Sequence, residues 1–344
     1  MAKTLVSDVV VPEVFVPYVI ERTAEKSRLI QSGIVDADAQ FDQLASQGGR
    51  TIEMPFWQDL DGDDEVLDDS SSMTPGKISA AQDAAAKVIR GRGWSYNDLA
   101  GLLAGDDPGR AIGELVASYK ARRLQKQLLS LLTGIFASGT GLDTTNTLDL
   151  HVTSGGGTPG AGNILNGTTF LDAQQKLGDE KDRLTGIMMH SQVETLLRKL
   201  DLIDYIPDSQ GSGMIMKTFQ GLEVIVDDSI TTETVDSKTV YHTFLFGQGA
   251  IAFGIGRKPE PVDGAVPGST WEVEFSRDAA AGDSTLWCRW LNIMHPRGVK
   301  FTDASVAGKT PSNAELATAA NWTRVFEAKN VRIVRIRSNV LPSS

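Results

Sequence analysis

The amino-acid sequence predicts an α+β protein, with one long helix set among many short strands. Strand-like runs bounded by glycine, proline and acidic residues recur along most of the 344-residue chain. Residues 108–138 instead keep the i, i+3, i+4, i+7 spacing of a single apolar helical face. The chain carries 34 glycines but only 7% aromatic residues, a balance that favours loops and extended segments over a compact catalytic core.

The first segment, residues 5–20, is rich in β-branched residues but is interrupted by Pro12 and Pro17. Proline has no N–H to donate to a ladder, so this segment is excluded from the centre of a sheet. We interpret it as an extended arm that needs a partner surface; the alternative is an edge strand of the chain's own sheet. The candidate interface residues of the arm are Val11, Phe15, Val16 and Tyr18.

A long hairpin with a polar tip is predicted next, because strand-like runs at residues 51–57 and 84–96 flank an acidic, serine-rich segment. A hairpin of this length cannot cover both of its faces with its own residues, so we expect it to lie on another surface. Its candidate interface residues are Phe56, Trp57, Asp61, Asp64 and Lys77.

The long helix is predicted to begin at Pro108, because Asp106 and Asp107 can cap its free amides and proline is tolerated at the first helical position. We expect it to end near Ser138, a length of roughly 45 Å at ~1.5 Å per residue. One compact basic patch lies on it, formed by Lys120, Arg122, Arg123 and Lys126. This patch is either a surface for DNA or for acidic loops of a neighbour, or a solvated helix face.

The second half of the chain follows a glycine-rich loop at residues 155–162 and consists mainly of strands. Ser191 and Glu194 fit a capping box that opens a helix through Leu200. One strand is predicted over residues 218–228, ending in acids, and one over residues 241–255. Later strands are predicted at residues 271–275, 286–295 and 331–337.

Catalytic motifs are missing from the sequence. It contains neither a Gly-x-Ser-x-Gly elbow nor a phosphate-binding glycine loop. The histidines are scattered singly, and the acidic tract around Asp59 and Asp63 places Gly62 at the wrong position for a calcium loop. We therefore predict no catalytic, cofactor-binding or metal-binding residues. The alternatives are adventitious cation binding at the acidic tract and an enzyme built on isolated acids such as Asp227 and Asp228.

The bulk properties are those of a soluble protein with acidic character. The formal net charge of −11 repels nucleic acid at long range. No apolar run is long enough to span a bilayer, and the first residues do not form a signal peptide. Cys288 is the only cysteine, so no disulfide can form within the chain and folding in a cytoplasm is expected.

Four short phrases carry a resemblance to a known family. They are TFQGLEVIVDD (residues 218–228), FLFGQGAIAFG (244–254), HPRGVK (295–300), and NW (321–322) followed by KNVRIV (329–334). Together with the order of the elements, they make the chain resemble the major capsid proteins of tailed bacteriophages, which share the Hong Kong ninety-seven fold. The resemblance covers essentially the whole chain.

The resemblance implies a division of the chain into segments. These are an N-terminal arm (1–40), an extended loop (41–95), a peripheral domain with a spine helix (96–183), an axial domain (184–267) and a return to the peripheral domain (268–344). It implies self-assembly into hexamers and pentamers of an icosahedral shell around a double-stranded DNA genome. Expected partners are scaffolding, portal and decoration proteins, with weak non-specific contact to packaged DNA, assembly in the host cytoplasm and a final place in the virion.

Two points of the resemblance stay open. The arm begins almost at Met1, so we expect a separate scaffolding protein or none. Lys77 lies where some relatives carry a cross-linking lysine, but no matching asparagine or acid is identified, so no cross-link is predicted. The alternative to a virus shell is an encapsulin-like compartment, which uses the same fold to enclose cargo enzymes.

Overall fold

The computed structural model describes most of the chain between Val35 and Leu341. The residues that it does not describe are 1–34, 38, 47, 61, 67–73, 100–102, 104–107, 153–156, 208–214, 257–271, 279–281 and 342–344. The predicted interface residues that lie outside the described residues are Val11, Phe15, Val16, Tyr18 and Asp61. Their role stays a prediction.

Sixteen strands occur in the described part of the chain. They are β1 (Val35–Ala37), β2 (Thr51–Trp57), β3 (Ala80–Asn97), β4 (Thr147–Asp149), β5 (Leu184–Met189), β6 (Asp204–Pro207), β7 (Ile215–Phe219), β8 (Leu222–Val226), β9 (Thr232–Val235), β10 (Lys238–Gly247), β11 (Ile251–Ile255), β12 (Glu272–Asp278), β13 (Asp283–Pro296), β14 (Val299–Phe301), β15 (Trp322–Arg324) and β16 (Ile333–Ser338).

These strands form two large sheets and one small one. The first has the order β1-β11-β13-β3-β2, with β12 also on β13; the second has the order β4-β16-β10-β5-β8-β7-β6, with β9 also on β10. β14 and β15 pair alone. The mixture of helices and sheets confirms the predicted α+β class.

The α-helices are fewer than the strands, and one of them is much longer than the others. They are α1 (Ala39–Ser46), α2 (Pro108–Ile135), α3 (Leu142–Thr145), α4 (Gly167–Gln174), α5 (Ser191–Lys199) and α6 (Asn313–Leu316). Short 3-10 turns cover Ala161–Asn163, Gln175–Arg183, Ala319–Asn321 and Ala328–Asn330. The long helix α2 is the predicted one and starts at the predicted residue, Pro108.

The predicted hairpin is confirmed, since β2 and β3 pair antiparallel from Thr51 opposite Ala86 to Trp57 opposite Ala80. β3 begins four residues before the predicted start at residue 84 and does not end with the hairpin. From Lys87 onward it pairs with β13 instead of β2. The hairpin is therefore a direct extension of the first sheet.

The helix α2 packs one apolar face between the two large sheets. Its buried residues belong to a cluster that also contains Phe244 and Phe246 of the second sheet and Ile251 and Met294 of the first. The buried apolar residues of the helix are Leu124, Leu128, Leu129, Leu131, Leu132 and Ile135. The i, i+3, i+4 spacing seen in the sequence is therefore the spacing of the core contact.

Two strand predictions were wrong about continuity. Residues 218–228 contain a hairpin between β7 and β8, because Gln220 and Gly221 both have positive φ and turn the chain. Residues 241–255 contain β10 and β11, which belong to different sheets and are joined by a turn with Gly249 at φ 62°. In both places a turn divides the predicted strand into two; β7 and β8 stay in the second sheet, whereas β10 and β11 belong to different sheets.

Two helix ends also differ from prediction. The helix α5 begins at Ser191 as a first helical residue, and the cap is His190, whose Nδ1 accepts from the Gln192 N–H at 3.1 Å. The predicted capping box of Ser191 and Glu194 is therefore wrong by one residue. The helix α2 ends at Ile135, three residues before the predicted Ser138.

The two sheets draw on segments from across the predicted domain limits. β4, from the predicted peripheral domain, and β16, from the predicted return segment, pair with each other in the second sheet. β11, from the predicted axial domain, lies in the first sheet. The domain limits stay a prediction, and the sheets indicate where the chain crosses between lobes.

Candidate assembly surfaces

The hairpin covers one of its faces with the chain's own core and leaves the other open. Phe56 packs edge-on against Phe326, with ring centroids 4.9 Å apart, and Ile52 is buried. Successive side chains of a strand alternate between its faces, so Trp57 lies on the other face, and it is 70% exposed. The structure thus separates two neighbouring residues that the sequence assigned to one interface.

The hairpin tip, residues 58–79, exposes apolar and acidic side chains together. Exposed large apolar residues at and beside the tip are Trp57, Leu60, Val66 and Ile78, with exposures between 51% and 93%. Its described acids, all exposed, are Asp59, Asp63, Asp64 and Glu65. Lys77 is exposed on the returning side of the tip. Of the predicted tip residues, Asp64 and Lys77 are therefore open to a partner.

The base of the hairpin is fixed by a buried polar contact that the sequence did not predict. Asp83 Oδ2 lies 2.9 Å from His295 Nε2 and accepts from the Gly298 N–H at 3.1 Å. Its Oδ1 accepts from the Ala84 N–H at 2.8 Å. No local pattern links residues so distant in the sequence; they lie just beyond the end of the β3–β13 pairing, where Lys87 is opposite Ile293.

The basic patch of α2 opens onto a cleft of about 880 Å³. Arg122, Arg123 and Lys126 line its helical wall, and Asp227 and Asp228 after β8 line the facing wall. We call this the helix cleft. The structure thus brings together three of the four predicted basic residues at one concave surface.

Lys120, the fourth residue of the basic patch, is not part of the cleft lining. It is half-buried, and desolvation lowers its pKa to about 8. Arg123 stays exposed, and its guanidinium lies 4.9 Å from the centre of the Tyr119 ring. The patch predicted as one surface therefore contains two environments.

The carboxylates of Asp227 and Asp228 accept hydrogen bonds from backbone and side-chain donors. Asp227 Oδ1 accepts from the Ser229 N–H at 2.8 Å, and Oδ2 accepts from the Gln125 side chain. Asp228 Oδ1 accepts from the Ser191 N–H at 3.0 Å, and hydrogen bonds from Ser191 are the main cause that lowers the pKa of Asp228. Asp227 therefore stabilises the turn after β8, and Asp228 stabilises the start of α5.

A charged cluster on the second sheet was also missed by the sequence analysis. Arg337 donates to Asp149 at 2.9 Å and to Glu233 at 2.7 Å, so it links β16 with β4 and β9. His242 Nε2 lies 3.2 Å from Glu233 Oε1. Burial lowers the pKa of His242 to about 4, so this histidine is neutral at pH 7. Histidines that looked isolated in sequence are neighbours of acids in space.

Other chemistry is sparse in the described part of the chain. No group of three or more His, Cys, Asp or Glu side chains is placed there to hold a metal ion. Cys288 is buried, and its burial raises the pKa of the thiol. Among the described residues, no helix combines the length and the apolar character needed to cross a membrane.

Comparison with solved structures identifies the fold. The capsid of Ralstonia phage GP4 matches with a TM-score of 0.57 and 11% identity, covering 97% of this chain and 97% of that one. The capsid of cyanophage Pam1 matches with a TM-score of 0.57 and 9% identity, covering 96% and 98%. The fold is therefore that of the Hong Kong ninety-seven class of phage capsid proteins.

Sequence comparison gives the family. No family model matches the chain. The major capsid protein of Bacillus phage SPP1 is 43% identical over 340 residues, 98% of each chain. The chain belongs to the family of major capsid proteins of tailed bacteriophages, and it forms the shell of the virion. Nothing in these comparisons favours the encapsulin-like alternative.

Proposed function

We propose that the chain assembles into hexamers and pentamers of an icosahedral shell around a double-stranded DNA genome, with the hairpin tip lying on a neighbouring subunit. The observation that carries this proposal is the open face of the tip, where Trp57, Leu60 and Val66 are each at least 70% exposed. Burial of such side chains contributes roughly 25 cal/mol per Å², so three large apolar side chains exposed on one short segment favour a partner surface.

Assembly of identical copies explains why this surface is tolerated. Heterologous contacts between copies close into rings when the rotation permits, and five- and six-fold rings build a closed shell.

The arm at residues 1–40 is proposed as a second contact between subunits. The predicted interface residues Val11, Phe15, Val16 and Tyr18 belong to it, and Phe56 is reassigned to the subunit's own core because it packs on Phe326.

The two large sheets support a division into two lobes. We propose that the first sheet and α2 form the peripheral domain and that the second sheet forms the axial domain around the symmetry axes. On this basis β4 and β16 belong to the axial lobe and β11 to the peripheral lobe, so the chain crosses between the lobes more often than the predicted limits of 96–183, 184–267 and 268–344 allow.

The chain is proposed to be purely structural. Asp227 and Asp228 were the residues named for an enzymatic alternative, and their hydrogen bonds to Ser229, Gln125 and Ser191 account for their presence without a substrate. Substitution of both by asparagine is expected to change the stability of the subunit and to abolish no enzymatic activity.

Further partners complete the proposal. Scaffolding, portal and decoration proteins are expected to bind the shell, which would assemble in the host cytoplasm. DNA contact would be weak, because the net charge of −11 opposes it. For the patch of Lys120, Arg122, Arg123 and Lys126, DNA phosphates and an acidic segment of a neighbouring copy are the two partners that the charge admits.

Electron microscopy of negatively stained particles tests the proposal. Wild-type protein, expressed with and without its phage neighbours, is expected to give icosahedral particles tens of nanometres wide. Deletion of residues 1–20, or replacement of residues 58–76 by a short turn, is expected to give folded subunits without shells. Normal shells from both variants, or only monomers of the wild type under every condition, would contradict it.

A further inference from the structure

The far half of β3 has an open edge. β2 pairs with β3 only as far as Ala86, whereas β13 occupies the other side of β3 up to Asn97. The Thr310 hydroxyl covers the edge at the next residues, because it accepts from the Ile89 N–H at 3.0 Å and donates to the Lys87 carbonyl at 3.0 Å. Beyond Ile89, no strand of the described chain lies along this edge.

The backbone groups at this edge belong to Gly91, Gly93 and Ser95. Alternate residues of a strand direct their N–H and C=O groups to opposite edges. The Asp98 N–H donates to the Gly282 carbonyl on the β13 side, so even-numbered residues of β3 face β13 and odd-numbered residues face the open edge. The N–H and C=O groups of the three odd-numbered residues have no partner in the part of the chain that the structure describes. They form a row of donors and acceptors that a further strand can bind.

The other edges of the first sheet carry features that prevent the addition of a strand. The Gln58 N–H donates to the Ser79 carbonyl, so even-numbered residues of β2 face β3 and Pro55, which has no N–H, faces outward. β12 has four charged residues among its seven, and β1 is only three residues long. The open edge of β3 instead presents two glycines and a serine. One unprotected edge in an otherwise protected sheet indicates a partner strand.

The charges at this edge are complementary between two copies of the chain. If two copies of β3 pair antiparallel about a two-fold axis through Ser95, Arg92 lies opposite Asp98 of the partner subunit. Arg92 is exposed and makes no ion pair within the described ranges. Asp98 Oδ2 lies 2.7 Å from Arg277, which leaves Oδ1 open to a second guanidinium. The pair occurs twice in the contact, once on each side of the axis.

Apolar side chains beside the edge fit the same register. Trp94 is half-buried and lies opposite Tyr96 of the partner subunit, which is also half-buried. Leu99 is 54% exposed and lies opposite Gly91 of the partner subunit, which has no side chain to oppose it. Pairing of the two edges therefore covers apolar surface as well as backbone groups.

The loop at Thr310 excludes one other register. Opposite residues of an antiparallel pair direct their backbone groups either both toward or both away from each other, so the paired numbers of two identical strands add up to an even number. An axis through Gly93 would place Asn97 of the partner subunit opposite Ile89, where the Thr310 hydroxyl already occupies the edge. The axis therefore lies nearer the end of β3.

An axis through Trp94 is disfavoured by the contacts of Arg90. It would place Arg90 opposite Asp98 of the partner subunit, but Arg90 already donates to the Pro311 carbonyl. The exposed Arg92 would then have no acid opposite it. The axis through the next residue brings the acid to the arginine that lacks one.

We propose that the β3 strands of two subunits pair antiparallel about a two-fold axis through Ser95, and that this contact joins neighbouring rings of the shell. This inference rests on the proposed assembly and adds a second kind of contact to it. Heterologous contacts close a ring, whereas a two-fold contact is isologous and links a subunit to one subunit outside its own ring. The complementary charges of Arg92 and Asp98 fix the register of the pair.

A proline at the axis tests the backbone part of the contact. Ser95→Pro removes the N–H that faces the open edge and leaves the pairing with β13, as proline is tolerated at the edge of a sheet. Each contact loses two donors, so the variant is expected to form rings but to lower the yield of closed shells roughly tenfold. The matched control Ser95→Thr keeps the N–H and is expected to stay within about twofold of the wild type. Electron microscopy counts shells and rings, and circular dichroism checks that both variants are folded.

A cysteine at the axis tests the register and does not depend on shell yield. Opposite residues that exchange hydrogen bonds in an antiparallel pair have Cα atoms about 5.5 Å apart, which is within the range of a disulfide. Mild oxidation of assembled Ser95→Cys particles is therefore expected to give a disulfide-linked dimer. The matched control Thr285→Cys places the thiol directly opposite Ser95 on β13, about 14 Å from its copy across three strand spacings, and is expected to give none. Cys288 is buried and present in both variants.

The outcomes separate this inference from its alternatives. Normal closed shells from folded Ser95→Pro, no dimer from Ser95→Cys, or equal dimer from Thr285→Cys overturns the pairing. Loss of shells in the proline variant without a cysteine dimer assigns the edge to a different segment, such as the arm, and overturns it as well. If the proline variant does not fold, the two cysteine variants decide. Absence of shells from the wild type would instead contradict the proposed function.

Discussion

The carboxylate of Asp83 and the imidazole of His295 are hydrogen-bonded at 2.9 Å, although 212 residues separate them in sequence. Asp83 lies on β3 where the hairpin meets the sheet, and His295 lies on β13. Both side chains are buried, and His295 also stacks on Phe41 of α1, with ring centroids 6.3 Å apart. Through these two contacts, His295 joins the base of the hairpin, the sheet and the first described helix.

Replacement of Asp83 by alanine is expected to destabilise the subunit by about 2 to 4 kcal/mol. The change leaves the Gly298 N–H and a His295 ring nitrogen buried without an acceptor, and unpaired buried donors are costly. Urea unfolding of purified subunits measures the loss. The exposed Asp172→Ala serves as control and should stay within about 0.5 kcal/mol of the wild type; equal stability of both variants would contradict the assignment.

Two glycines of α2 should respond to alanine in opposite directions. A Cβ at Gly134 would overlap the Leu316 carbonyl oxygen and lie 2.6 Å from Trp322 Nε1, so Gly134→Ala should cost about 3 kcal/mol or more. A Cβ at Gly113 meets nothing within 4 Å, so Gly113→Ala should stabilise by about 0.5 to 1 kcal/mol. Thermal unfolding of the two variants compares their stabilities directly. A shift of the melting temperature in the same direction in both variants would contradict the prediction.

Neighbouring aromatic residues of β2 should separate folding from assembly. Phe56→Ser removes the contact with Phe326 and should lower subunit stability by about 1 to 3 kcal/mol. Trp57→Ser should leave subunit stability within about 0.5 kcal/mol but lower the denaturant concentration at which shells dissociate. Light scattering follows shell dissociation, and unfolding of subunits is followed by circular dichroism. If shells of the Trp57 variant dissociate at the same denaturant concentration as wild-type shells, Trp57 is not part of the interface.

Acid should destabilise the subunit through His242. Its pKa in the folded chain, about 4, lies below its ordinary value of 6.5, so the unfolded chain binds the proton more tightly. Stability is therefore complete above pH 6.5 and falls as the pH drops from 6.5 toward 4. The loss between pH 7 and pH 4.5 should be about 2 kcal/mol from this residue.

A glutamine at position 242 isolates the contribution of this histidine from those of the surrounding groups. Asp149, Glu233, Arg335 and Arg337 all act on His242, and they remain in the His242→Gln variant. Denaturant unfolding of wild type and variant at pH 7 and pH 4.5 gives the difference. An equal loss of stability in the two proteins would show that His242 does not carry the effect.

The sequence was sufficient for the elements whose pattern is local. The hairpin followed from alternation and a polar tip, and the long helix from periodicity and Pro108. Gln220 and Gly221 were a readable turn signal inside the predicted strand 218–228, since glycine in a two-residue turn favours positive φ. The cap at His190 was harder to predict, because serine, the residue at the next position, is more often a helix cap than histidine.

Contacts between distant residues had no signal in a single sequence. The switch of the chain from the second sheet to the first between Gly247 and Ile251 depends on which strands lie beside it, and both segments are equally apolar. The split of the basic patch has the same cause, because the burial of Lys120 and the position of Arg123 depend on the elements packed around α2. The spacing of the basic residues predicted the charge of this surface but not its concavity.

The uninterrupted course of β3 limits how the subunit can change shape. Its pairing passes from β2 at Ala86 to β13 at Lys87 without an unpaired residue, so the hairpin has no joint at its base. Over a paired length of about 23 Å, a 10° rotation displaces the start of the tip by roughly 4 Å. The tilt of the subunit body therefore sets the position of its tip, and in the proposed assembly a subunit that tilts also moves its contact on the neighbouring subunit.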